Sequence, residues 1–190
     1  MDSNIEKNQT RLENKLKLGS FSIETERLLL RPVSMEYAEE IFKEFDDETT
    51  EYMFPSTPED IADTKKFIEE STEGFLQGKE IVTVILKKDT LEYLGSGGIH
   101  HIDTKTPELG IWIKKGAHGN HYGREAVAGL KKWADVNLDY EYLKYPVAEE
   151  NISSRKIAES LGGKEVLRYP HTNQKGVQLN IVEYHIFSRE

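Results

Sequence analysis

The chain has 190 residues, 37% hydrophobic and 31% charged, which is apolar enough for one folded domain and too apolar for a disordered one. Lys and Arg number 25 against 34 Asp and Glu, a net charge of −9 that argues against a nucleic-acid backbone as main partner; it suits a cationic substrate, or simply solubility. There is no cysteine, which excludes disulfides, thiolate metal sites and any acyl-cysteine intermediate.

Residues 1–20 read as a polar arm and 21–190 as a single domain. Ile5, Leu12 and Leu16 make too thin a stripe for the arm to bury much. The N-terminus lacks the apolar core of a secretory signal, and no run approaches bilayer length, so cytoplasm without a membrane partner is the default expectation. From Thr25, ETERLLLRPV predicts a strand that Pro32 ends or edges. Ser34 is placed to cap a helix through Phe45, with Tyr37, Ile41, Phe42 and Phe45 on one face.

The connection from Glu44 to Pro58 carries Tyr52, Met53 and Phe54, read either as a cap on the core or as a wall of a substrate groove. A second helix, begun by Thr57 or Pro58, runs to Leu76 with Ile61, Phe67, Ile68 and Leu76 as its apolar set. Strands are then predicted over Glu80–Lys87, Leu91–Ile102 and Leu109–Lys114, an antiparallel meander. Gly95, Gly97 and Gly98 within it imply a bulge or a close backbone approach.

The stretch PELGIWIKKGAHGNHYGREA, Pro107 to Ala126, is the centre of the reading. A strand stops, a loop holding Gly116, Gly119 and Gly123 follows, and a helix-forming run from Glu125 to Leu138 begins. Such a junction leaves backbone N–H groups converging on one spot, a place for a phosphate. Downstream come a strand at Leu143–Ala148 and a helix at Ile152–Leu161, capped by Asn151 and stopped by Gly162 and Gly163. Two last strands are predicted at Lys164–Tyr169 and Gln178–Ser188. Elements in this order predict an α+β class, an α/β/α sandwich with about six to seven strands and about four helices.

Four patterns, ETERLLLRPV, GSGGIHHIDTKTPELGIWI, HGNHYGREAVAGLKKWA and ENISSRKIAESLGG, together resemble the GCN5-related N-acetyltransferase (GNAT) superfamily, in the branch acting on ribosomal-protein N-termini. The resemblance covers the chain from about Thr25 onward. It implies a strongly bent mixed sheet, acetyl-CoA as cosubstrate, and direct acetyl transfer to a primary amine of a protein N-terminus. The alternatives are a small-molecule amine such as a polyamine or aminoglycoside, or a non-catalytic CoA-binding sensor. Dimerisation is common among similar proteins, and nothing in the sequence decides it.

The resemblance further implies that the Trp112 and Ile113 backbone pairs with the pantetheine arm, a bulge there freeing an N–H for the thioester oxygen. The N–H groups of His118, Gly119, Asn120, His121, Gly123 and Arg124 would hold the diphosphate. Gly116 stands where the family's loop commonly has a basic residue, and His121 where it commonly has Gly or Ala. Either a negative φ at His121 or weaker cofactor binding is expected. The position after Leu-Gly is often aromatic in the family, and Gly163 would leave that wall open. Asn151 would bond the pantetheine arm as well as cap its helix, and Ser154 would protonate the leaving thiolate, position 158 being Ala rather than the tyrosine of many members.

Glu108, one step ahead of its strand, is the first choice for general base, with orientation of the substrate or a cross-strand bond as its plainer role. His100, His101 and Asp103 are rivals; adjacent histidines on a strand point to opposite faces, so at most one reaches the cleft. No spacing among them makes a metal site, and none is expected.

Overall fold

The apolar runs at Leu28–Pro32, Glu80–Lys87 and Leu143–Ala148 alternate or are wholly buried, as central strands require. A computed structural model describes residues 18–188. It contains β1 (Ile23–Glu24), β2 (Leu28–Pro32), α1 (Ala38–Glu44), α2 (Ile61–Leu76), β3 (Glu80–Lys87), β4 (Tyr93–His100), β5 (Glu108–Ile113), α3 (Tyr122–Asn137), β6 (Leu143–Ala148), α4 (Ile152–Ser160), β7 (Lys164–Thr172) and β8 (Gln178–Ile186). All eight strands form one sheet, ordered β1-β2-β3-β4-β5-β6-β8-β7. Every neighbouring pair is antiparallel except β5 and β6, which α3 joins as a crossover.

Helices cover both faces. On one side α3 (Ala126, Val127, Leu130, Ala134) and Ala158 of α4 pack on Leu28, Leu30, Ile85, Ile99 and Tyr145. On the other, Ala38 and Ile41 of α1 and Ile68 of α2 pack on Leu29, Val82, Val84 and Leu86. Each fully buried Leu or Ile in these layers contributes roughly 1.5–3 kcal/mol relative to exposure. The expected α/β/α sandwich is what forms.

The differences have local causes. The eighth strand, β1, is a two-residue rung pairing Ile23 with Leu30 and Glu24 with Leu29, too short for any alternation to announce it. Ser34 makes no side-chain cap; a 3-10 turn at Met35–Tyr37 precedes a shorter α1. Helix α2 starts at Ile61 with Asp60 as N-cap, in a reciprocal capping box with Asp63. Its buried stripe is Thr64, Ile68, Ser71 and Phe75, which turns Phe67 and Leu76 outward. Helix α3 starts three residues early, at Tyr122. The final strand ends at Ile186, and residues 1–17 of the predicted arm lie outside the described residues. Gly95 explains the glycine-rich β4: a Cβ there would sit 2.2 Å from the Trp112 carbonyl oxygen, and the β3–β4 register shifts beside it, between Ile85 and Leu86.

Candidate functional site

Strand β5 pairs with β4 along its whole length, from His100–Glu108 to Gly95–Ile113, and β6 pairs equally fully with β8. Between β5 and β6 there is a single rung, Glu108 with Lys144, backed by a hydrogen bond from Lys144 N–H to the Pro107 carbonyl at 2.8 Å. Each strand follows its own half of the sheet, so they part after that rung and leave an edge of β5 open. The β4–β5 register is unbroken, so the opening comes from this divergence and not from the bulge expected at Trp112 and Ile113.

Lys114 N–H reaches the Leu94 carbonyl, and alternation along the strand puts the Trp112 backbone on that same side. Ile113 therefore presents its backbone to the open edge, where its carbonyl meets the His118 imidazole Nε2 at 2.7 Å. Sequence alone gave no sign of this contact.

The loop after β5 carries its own bracing. His118 N–H is engaged by the Lys115 carbonyl at 3.1 Å, so it is not free for a ligand in this conformation. The Asn120 side chain donates to the Ala117 and His118 carbonyls, while Arg27 donates to the Asn120 carbonyl at 3.2 Å. The first helical bond of α3 is Glu125 N–H to the His121 carbonyl, which places the amides just before it at the electropositive helix start. Gly119 has φ +79° and His121 φ +61°, so of the two alternatives expected at 121 the negative φ is not the one adopted: the residue takes left-handed geometry as the helix N-cap. Gly116 has nothing within 4 Å of an added Cβ, and Gly123 is buried against Ile111, Ile113 and Ile157. Arg124 is exposed.

Across the opening stands α4. Asn151 Oδ1 accepts from Ser154 N–H at 3.1 Å, the cap expected of it. Ser154 Oγ lies 2.8 Å from the Tyr145 hydroxyl. Tyr145 is wholly enclosed, and burial pushes its phenol up to about 12, keeping it protonated. Tyr145 was missed on sequence. The signal was there: it alternates inward with Leu143 and Val147, and a buried tyrosine hydroxyl needs a partner. At Gly163 a Cβ would meet the Ala158 carbonyl oxygen at 2.7 Å, so the backbone here has no room for the aromatic side chain common at that position in the family.

The other face of the open region is a cleft of ≈ 710 Å³ reaching from Glu108, Gly110 and Trp112 to α1, α2 and the 53–59 loop. Met53 and Phe54 line it, favouring the groove-wall reading of that trio, while Tyr52 is exposed. Burial holds the Glu108 carboxyl above its ordinary range, against the opposing pull of His100, His101 and Lys144. No hydrogen bond or ion pair engages it among the described residues. Of the two histidines, His100 lines the cleft, with Nδ1 held 2.7 Å from Glu80. His101 has φ +55° and is exposed, as is Asp103. Among the described residues no group of three or more His, Cys, Asp or Glu could hold a metal ion, and no helix is long and apolar enough to cross a membrane.

Residues 27–164 match the acetyltransferase (GNAT) domain family. An uncharacterised N-acetyltransferase, p20 of Bacillus licheniformis, is 28% identical over 170 residues, covering 87% of this chain and 96% of that protein. Among solved structures, the RimL ribosomal L7/L12 α-N-protein acetyltransferase in complex with coenzyme A superposes with a TM-score of 0.78 at 12% identity, over 88% of this chain and 98% of that one. RimJ of Mycobacterium smegmatis, in complex with a CoA-disulfide, gives 0.75 at 17% identity, over 85% and 82%. At those identities the likeness establishes the fold.

Proposed function

Since the chain belongs to the acetyltransferase (GNAT) domain family and is an N-acetyltransferase, we propose that it transfers acetyl from acetyl-CoA directly to a primary amine, the α-amine of a protein N-terminus being the acceptor that the RimL and RimJ likeness favours. The observation that carries this is the one-rung junction of β5 and β6, opening beside a glycine loop and a helix start. An extended ligand arm can lie along the free edge as an added strand would. An anionic end can meet the amides of Gly119 to Arg124 at the start of α3. The residues fit the group, with two conditions: His118 has to release the Ile113 carbonyl, and its own amide stays with Lys115.

Acetyl-CoA supplies an acyl group activated on sulfur. Ile113 and Asn151 orient its arm, flanked by Trp112, whose indole forms part of the acceptor cleft on the other face of β5. Glu108 takes a proton from the acceptor ammonium, directly or through one water, and its raised pKa makes it a better base than an ordinary carboxylate. Ser154 Oγ donates a proton or a hydrogen bond to the departing sulfur, with the Tyr145 hydroxyl behind it to donate to Ser154 in turn. With no cysteine in the chain, direct transfer in a ternary complex is the simplest route.

The test is free-thiol release from acetyl-CoA in the presence of an amine and peptide panel, with CoA binding followed by calorimetry. Thiol release that requires an amine, with acetyl recovered on that amine, supports the proposal. Failure to bind CoA overturns it.

A further inference from the structure

The acceptor cleft carries a charge pattern that is more selective than the overall acidity of the chain. Its walls are apolar: Ile41, Phe45, Met53, Phe54, Phe67 and Trp112, with the Phe45 and Trp112 rings 4.9 Å apart. Several carboxylates line it, but most are already engaged or outlying. Asp63 Oδ2 accepts from the Glu59 and Asp60 backbone N–H groups at 2.9 and 3.3 Å, as part of the α2 cap. Glu70 pairs with Lys66 at 3.8 Å on the outer surface of α2, and Glu59 is exposed. His100, which lines the cleft, is itself held by Glu80. Glu108 alone lies in the cleft beside the strand opening without a hydrogen-bond or ion-pair partner among the described residues.

The wall opposite is also fixed. Gln174 Oε1 accepts from Ser56 N–H at 3.0 Å and Ser56 Oγ at 3.2 Å. Lys175 Nζ spans Asp47 at 2.6 Å, Thr50 at 2.9 Å and Thr57 at 3.2 Å. These contacts from the β7–β8 turn hold the 53–57 segment over the cleft, so its apolar lining is a defined surface.

Resting on the reading of Glu108 as the group that meets the acceptor, we infer that the acceptor is an amine bearing a single positive charge on a compact apolar or aromatic body. One carboxylate without a partner, that of Glu108, balances one ammonium. A second or third ammonium held against Phe45, Phe67 and Trp112 would lose hydration there, with only the solvent-exposed Glu59 and Glu70 at the rim as further carboxylates, and would be disfavoured. An apolar body gains about fourfold in affinity per buried methylene. The same chemistry is offered by a free arylalkylamine and by a peptide beginning with Leu or Phe.

The test compares kcat/KM for short n-alkylamines, phenylethylamine, peptides beginning with Leu or Phe, peptides beginning with Ser, spermidine and an aminoglycoside, with the KM for acetyl-CoA measured in parallel. Phenylethylamine or the Leu and Phe peptides should exceed spermidine, the aminoglycoside and the Ser peptides by about tenfold or more, and alkylamines should improve with length. Turnover of peptides alone, or of free amines alone, identifies the source of the acceptor. Phe67 is 39% exposed on α2, so its replacement is tolerable for folding. Phe67→Ala should lower kcat/KM for the apolar amines about tenfold, and Phe67→Asp should shift preference toward spermidine, with the KM for acetyl-CoA unchanged in both. Spermidine, the aminoglycoside or Ser peptides ranking level or first would overturn the inference while leaving the transferase reading intact. Thiol release with no amine at all would instead refute that reading, and this inference with it.

Discussion

Removing the Ser154 hydroxyl should have two separable effects. Tyr145 is 2% exposed, and the hydrogen bond given to its hydroxyl is the 2.8 Å contact with Ser154 Oγ. In Ser154→Ala that hydroxyl is left buried without its partner, which costs about 1–3 kcal/mol. In a chain of this length each kcal/mol lowers Tm by about 2–4 °C. Tyr145→Phe removes the other half, and the half-buried Ser154 can then turn to water, so its loss should be nearer 1 kcal/mol. In the double variant no buried hydroxyl is left unpaired. Its destabilisation should be close to that of Tyr145→Phe, and so smaller than the sum of the singles by about the Ser154→Ala cost, about 1–3 kcal/mol. Denaturant melts of the four proteins close this cycle. Rates separate chemistry from folding: Ser154→Ala should slow turnover at unchanged CoA affinity, and the double variant should regain stability while staying slow. Additive melts would refute the buried pair, and a double variant as fast as Tyr145→Phe would remove Ser154 from the reaction.

Three further outcomes are expected. As pH falls through the raised pKa of Glu108 its carboxylate protonates, so kcat/KM should fall on an acid limb lying above the ordinary 4.5, and Glu108→Gln should abolish that limb. The sign for stability is the reverse of a salt-bridged carboxylate: a raised folded pKa favours the fold at low pH and loses that contribution as pH rises through it. Glu108→Gln should therefore melt higher than the native chain at pH 7 but not at pH 3. His121→Gly removes a Cβ from left-handed backbone and should stabilise by roughly 0.5–1 kcal/mol after the added chain entropy of glycine, with CoA binding kept or improved; a lower melting temperature counts against strain at that position. Lys175→Met should raise amide exchange across residues 46–57 and raise the KM for the acceptor but not for acetyl-CoA; unchanged exchange would show that the β7–β8 turn does not hold that segment.

The long strands, α2, α3 and α4 were legible because their signals are local: apolar spacing, the Asn151 cap, glycines at the turns. Where reading failed, a distant residue had intervened. Thr57 looked like a helix start but bonds Asp47, Thr50 and Lys175, leaving the cap to Asp60. Phe67 looked like core by composition, yet the helix phase set by Thr64, Ile68, Ser71 and Phe75 turns it into the cleft. For His121 the intrinsic preference of a non-glycine residue left negative φ or a weaker cofactor site as alternatives, and the loop, fastened at both ends, imposes positive φ. Asn120 braces it from inside, and Arg27 reaches it while also binding Glu125 at 2.6 Å.

The amino-acid sequence by itself determined the order of elements, the family and the glycine loop running into a helix, because turn chemistry and periodicity depend on neighbours a few residues apart. Only the tertiary structure decided that β5 and β6 share one rung, that Tyr145 stands behind Ser154, that His118 lies on the Ile113 carbonyl and that Glu108 faces the cleft beside the strand opening without a hydrogen-bond or ion-pair partner among the described residues. Those facts follow from the register and divergence of strands far apart in the chain, and from where other side chains fall around the cleft.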